Sequence, residues 1–137
     1  MDLDLVRLLI DFGLVVLIWM VQLIVYPSFL HYTRENLMRW HQRYTPAIGY
    51  IVGPLMLGQL GLALYQTVTD FTFFRMANLL MVIGLWLITY FQFVPKHQAI
   101  SKGTFDRTLL KSLVTQNWSR TLFWTLIFLD SLRTIII

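Results

Sequence analysis

Cysteine is absent from this chain. Disulfides, thiolate catalysis, iron–sulfur ligation and cysteine-type zinc sites are therefore excluded. Charge is also scarce: Asp, Glu, Lys and Arg make up only 13% of the residues, and only seven of these are acids. No Lys/Arg run and no aromatic–basic RNA motif occurs, so nucleic acid is not an expected partner. Also missing are a Gly-rich phosphate loop, a G-x-S-x-G elbow and a paired-carboxylate hydrolase site. There is no internal repeat and no low-complexity segment.

What is present is apolar. Of the 137 residues 57% are hydrophobic, and the mean hydropathy is +0.63. A soluble domain of this length has too little interior to hide so much apolar surface, whereas a lipid bilayer removes the difficulty. One domain covering residues 1–137 is the natural count at this length. The N-terminus begins with Asp2 and Asp4 rather than a basic region, and no small-residue cleavage pattern follows. The first apolar stretch is therefore expected to be a retained helix, not a signal peptide.

Four apolar stretches predict an all-α, integral membrane four-helix bundle. A bilayer core about 30 Å thick needs roughly 20 helical residues. The expected crossings are residues 5–26, 47–68, 77–94 and 118–137. Pro27 ends or kinks the first, and the third stops before Pro95. The fourth carries Arg120, Asp130 and Arg133; Arg120 lies near one end and can snorkel, while Asp130 and Arg133 are three apart and can pair. The short link from Thr69 to Met76 makes the second and third helices antiparallel neighbours.

With four crossings both termini share one side. The loops from Pro27 to Pro46 and from Pro95 to Asn117 share the other. These two loops hold Arg34, Arg39, Arg43, Lys96, Lys102, Arg107 and Lys111, against Arg7, Arg75 and Arg133 opposite. The bias places the long loops in the cytoplasm and both termini outside it. The net charge of +4 is thereby explained by topology. Each loop is expected to contain a short interfacial helix, one capped by Thr33 and bearing Leu37, Trp40 and Tyr44, the other capped by Thr104.

Polar residues inside the helices should face the bundle interior. Asp11, Val15, Trp19, Gln22 and Tyr26 form one stripe at helical spacing, and Gln59 lies near the middle of the second crossing. Gly49 and Gly53 make a G-x-x-x-G pattern that lets backbones approach. Asp11, Asp130 and Arg133 match in depth, so they are expected to form an intramembrane charge cluster. Its favoured role is a structural tie, and a proton or ion path is the sharper alternative.

The opposite end collects more chemistry: Gln22, Tyr26, His31, His41, Tyr44, Gln92, His97, Asn117 and Arg120 come from all four helix ends. Asn117, Arg120, Thr121 and Trp124 share one face of the last helix. Arg120 beside an aromatic ring can hold a carboxylate, phosphate or quinone oxygen. The three histidines lack ligand spacing and only Glu35 stands near His31, so no metal site is expected. The bland alternative is that these residues anchor the bundle at the headgroups. Asn117-Trp118-Ser119 matches a glycosylation sequon but falls on the cytoplasmic edge, so it reads as chance.

Tyr26-Pro27-Ser28-Phe29, Trp40-His41-Gln42-Arg43, Val94-Pro95-Lys96-His97, Gly103 and Asn117-Trp118-Ser119-Arg120-Thr121 occur in this order. Over most of its length the chain resembles a family of small bacterial four-helix inner-membrane proteins. More distantly, Tyr26-Pro27 and Asn117-x-x-Arg120-Thr121 are similar to anthrone-oxygenase-like membrane proteins. That resemblance implies a cofactor-independent oxygenase or related oxidoreductase acting on a hydrophobic aromatic. His41, His97, Asn117 and Arg120 would then carry binding and proton transfer. It also implies an acid where this chain has Gln59, a departure that bears on any carboxylate-dependent mechanism.

Three functions follow as expectations. One is a membrane-embedded enzyme with His41 or His97 as acid/base, Arg120 holding an oxyanion and Asn117 assisting. Its lipophilic aromatic or quinone-like ligand would meet Gln22, Tyr26, His31, Tyr44 and Trp124. The second is a non-enzymatic subunit or assembly factor. The third is a small proton-coupled transporter using Asp11 and Asp130, for which four helices are few unless the chain forms a homo-oligomer. No cofactor is named by any of these residues.

Overall fold

The computed structural model describes residues 2–137, and among them every regular element is helical. Four long helices run α1 (Leu3–His31), α2 (Arg34–Thr69), α3 (Phe73–Lys102) and α4 (Arg107–Ile136). Each begins with a side-chain cap. Asp2, Thr33, Thr72 and Asp106 accept from backbone N–H groups that the first helical turn leaves unpaired. Thr33 plays its expected part, accepting from Asn36 N at 3.3 Å. The cap of α4 is Asp106, not Thr104: its carboxylate accepts from Leu109 N at 2.8 Å.

The helices outrun the apolar stretches. Residues 34–46 form the first turns of α2 itself, so the expected interfacial helix is continuous with the second long helix, through Pro46 and Pro54. α1 and α3 likewise pass through Pro27 and Pro95 instead of stopping there. Each does so by widening into a π turn, Val21–Val25 and Thr89–Phe93, just upstream of the proline. An interior proline removes one hydrogen bond and crowds the preceding turn, and a locally wider helix absorbs that conflict.

α1 packs against α2 and α4, and α3 packs against the same two, giving a four-helix bundle. Its interior is a cluster including Leu14, Ile18, Leu85, Leu113, Trp124 and Ile127, all at 0% exposure. Between these sit buried polar side chains, among them Asp11, Gln22, His41, Gln59 and Asn117. Leu9, Leu23, Ile24, Leu57, Leu80 and Leu122 stand exposed on the outside. By length and composition α1, α2 and α3 are apolar enough to cross a membrane; α4 is not among them.

Two glycines matter to this geometry. Gly103 ends α3 with φ +74°, a left-handed position where a Cβ would meet Met38 Sδ at 2.9 Å. Gly58 is the close approach between α1 and α2, since a Cβ there would stand 3.1 Å from Ile10. Gly49 and Gly53 have nothing within 4 Å, so the G-x-x-x-G pattern does not form a helix contact here.

Candidate functional site

Tyr26 and His97, each lying just past the π turn of its own helix, come together. Tyr26 Oη lies 2.9 Å from His97 Nε2. On the far side of that ring, His97 Nδ1 is 2.7 Å from His41 Nε2, which α2 supplies. His41 Nδ1 is 2.7 Å from Ser101 Oγ, with Thr45 Oγ1 at 3.1 Å. At the inner end Arg120, from α4, donates from Nη1 to Tyr26 Oη at 3.4 Å. Five side chains from all four helices therefore form one hydrogen-bonded file.

The chemistry of the end member orders the protons. A guanidinium can only donate, so Tyr26 Oη accepts from Arg120 and keeps its own hydrogen to give to His97 Nε2 in the tautomer that leaves that nitrogen bare. His97 is then protonated on Nδ1 and donates to His41 Nε2. His41 is protonated on Nδ1 and donates to Ser101. One shift along the file, with the partly exposed Ser101 releasing its own hydroxyl proton to solvent, would carry a proton from Tyr26 to the loop end and leave a phenolate beside Arg120.

Packing holds this file in place. Phe29 meets His41 and Tyr44 edge-on with ring centroids 5.7 Å apart in each case, and Phe93 stacks on Tyr26 at 6.1 Å. His41 is fully buried and His97 half-buried. Both lie outside the apolar stretches 47–68 and 77–94. Burial lowers His41 to about 4. Burial, then the neighbouring His41 and Arg120, lower His97 to about 3. Both imidazoles are thus held neutral, the state that can accept on one nitrogen and donate from the other.

Arg120 is only 6% exposed. Its guanidinium lies 4.4 Å over the Phe93 ring and 5.2 Å from that of Trp124. Among the described residues it has no acidic partner, and its Nε has no hydrogen-bond acceptor. The arginine is therefore an internal group, not one that snorkels to an edge. Asn117 donates to Gln22 Oε1 at 3.0 Å, while its own Oδ1 is buried without a partner. Gln22 also accepts from Thr121 at 3.0 Å and donates to the Val114 carbonyl at 2.9 Å. Its bonds are made within the protein and clasp α1 to α4.

Of the sequence-predicted residues, His41, His97, Tyr26, Arg120, Asn117, Gln22, Tyr44 and Trp124 converge. His31 does not: it ends α1 on the exposed surface. Glu35 pairs with Arg39 at 3.3 Å instead of joining a histidine. Among the described residues no group of three His, Cys, Asp or Glu side chains could hold a metal ion.

A second polar network fills the other end. Asp11, fully buried, pairs with Arg7 Nε at 2.9 Å and accepts from Gln59 Nε2 at 2.6 Å and from Ser131. Asp130 pairs with Arg133 at 2.8 Å, as their spacing predicts. The two acids are joined through Asn78, which accepts from Arg7 at 2.5 Å and donates to Asp130 at 2.9 Å. Arg7, not Arg133, is thus the counter-ion of Asp11. A cavity of about 30 Å³ among Asp4, Arg7, Gln66, Asn78, Asp130 and Ser131 has room for a water molecule. Gln59 links the two networks by accepting from Trp124 Nε1 at 3.2 Å. An indole N–H cannot take up a proton, so the link ties the ends together without relaying protons between them.

Arg7, Thr45 and Ser101 escape a reading by residue class; Arg7 and Thr45 each stand four residues from a partner in their own helix, Asp11 and His41, while Ser101 reaches His41 from a different helix. No protein family, curated protein or solved structure matches the chain.

Proposed function

We propose that this is a multi-pass protein of the bacterial inner membrane, with both termini outside the cytoplasm. In this reading it is an enzyme that moves a proton to or from a lipophilic substrate at the cytoplasmic end of the bundle. The observation that carries the enzymatic part is the file Ser101–His41–His97–Tyr26–Arg120. Tyr26 is the acid/base group that meets the substrate, His97 and His41 connect it to the loop surface, and Arg120 steadies negative charge on the phenolic or substrate oxygen.

The membrane part rests on the inversion of polarity. Asp11, Gln22, Gln59 and Asn117 are buried among the apolar core while large apolar side chains such as Leu9, Leu23, Leu57 and Leu80 stand outside, the arrangement that suits a hydrocarbon solvent. The distant similarity to anthrone-oxygenase-like proteins points toward oxygenase or other oxidoreductase chemistry at the same residues. The network at the Asp11 end supports a structural role, because its charges pair with one another and Trp124 interrupts any proton route.

The test is a comparison of the full chain with Tyr26→Phe and His97→Gln, each reconstituted in nanodiscs and incubated with a bacterial lipid extract. Mass spectrometry should find a lipophile consumed by the wild type and spared by both variants. Equal consumption by all three, or none by any in extracts of several compositions, overturns the reading.

A further inference from the structure

Arg120 is a buried cation without a counter-ion, and it stands one helical turn from a buried acceptor without a donor. Its guanidinium lies against two aromatic rings, Phe93 at 4.4 Å and Trp124 at 5.2 Å. Its N–H groups lie in the guanidinium plane and are what remains for bonding. Nη1 reaches Tyr26 on one edge, and the edge bearing Nε makes no bond among the described residues. That edge presents two parallel N–H groups, a fork that matches the two oxygens of a carboxylate. Asn117 Oδ1, on the same face of α4, repels a bare anion and selects a hydrogen-bond donor beside it.

Resting on the enzymatic reading above, we infer that Arg120 and Asn117 form the recognition site for a lipophilic carboxylate. The ligand carries a hydroxyl or amide N–H on the carbon next to the carboxylate, as in a 2-hydroxy fatty acid. Its carboxylate lies side-on against Arg120, its donor meets Asn117 Oδ1, and its chain leaves the bundle between helices. The π turns Val21–Val25 and Thr89–Phe93 flank this point, and a change in their winding admits the ligand.

An unpaired buried charge is costly to a fold, and a site that keeps one does so for a partner that arrives later. This gives the proposal a readout that a merely structural arginine would not share. Full-length protein in phosphatidylcholine nanodiscs is titrated with 2-hydroxydodecanoate, dodecanoate and dodecanol, following the thermal midpoint and the dissociation constant. The hydroxy acid should bind about tenfold more tightly than dodecanoate, which in turn should exceed dodecanol. Arg120→Gln should raise the midpoint of the ligand-free protein and abolish the preference for both acids. Asn117→Leu should erase only the advantage of the hydroxyl.

No preference for either acid over the alcohol overturns the inference. So does a lower ligand-free midpoint in Arg120→Gln with acid binding intact. If turnover of a lipophile still depends on Tyr26 while acids bind no better than the alcohol, the ligand class fails and the acid/base reading stands. If the acids bind as stated while turnover ignores Tyr26, the converse holds.

Discussion

His41 and His97 lie nearly parallel, 16° between ring planes and 5.0 Å between centroids, with Nε2 of one 2.7 Å from Nδ1 of the other. Two imidazoles this close cannot both be charged. Their contact needs one ring nitrogen left bare to accept, and burial favours the neutral form of both, so the fold depends on pH through these two rings.

The sign follows from where protons bind. Unfolded histidines take up protons below about 6.5, whereas the folded pair resists until about 4 and about 3. Between those limits the unfolded state binds more protons, so stability falls as pH falls. Between pH 7.5 and pH 5 the loss should be on the order of 1–2 kcal/mol per imidazole. Thermal or denaturant unfolding in detergent at the two pH values measures it. The double variant His41→Asn/His97→Asn should be much flatter, and an equally steep profile there would assign the dependence to other groups.

The pair Arg7–Asp11 predicts strong coupling. Removing one partner leaves the other charge buried, at a cost of about 3–5 kcal/mol. Arg7→Gln and Asp11→Asn should each destabilise on that scale, while the double variant should lose much less than the two losses added. A double-mutant cycle on unfolding free energies decides the point. Additive losses would mean that the 2.9 Å contact contributes nothing of its own.

Gly103→Ala should cost about 1–2 kcal/mol, from backbone strain at positive φ and from contact with Met38. Shortening Met38 to Ala in the same chain should recover the steric part and leave the strain. Full recovery in that double variant would show that φ +74° carries no penalty here.

Much of this bundle was legible in the sequence because its signals are local. Apolar length marks three of the four helices, Thr33 is a cap in the expected place, and Asp130 meets Arg133 because three residues bring side chains onto one face. The gathering of His41, His97, Tyr26, Asn117 and Arg120 was legible too, since all five lie near one end. Their order in a file was not. That order depends on how far α1 and α3 are rotated against α2, a tertiary quantity with no one-dimensional trace. The prolines were read only in part for a related reason: α1 and α3 carry on past Pro27 and Pro95 through a widened turn, α2 carries on past Pro46 and Pro54 without one, and nothing in the neighbouring residues announces which. His31 fell outside the cluster because it sits past the last full turn of α1, where the chain bends toward the surface.

The two π turns alter how residues should be counted along this chain. Each accommodates one residue more than an α-helical turn of the same rise, so the buried face after residue 25 or residue 93 is out of phase with the face before it. Deleting that one residue within either turn would restore regular winding and leave the downstream faces nearly where they stand, whereas a deletion in the regular helix just before it would swing everything downstream by about 100°. Tyr26 in one case, or His97 in the other, would then leave the interior while composition and helix content barely changed. The two π turns are thus the points at which α1 and α3 absorb a change in number that regular winding cannot.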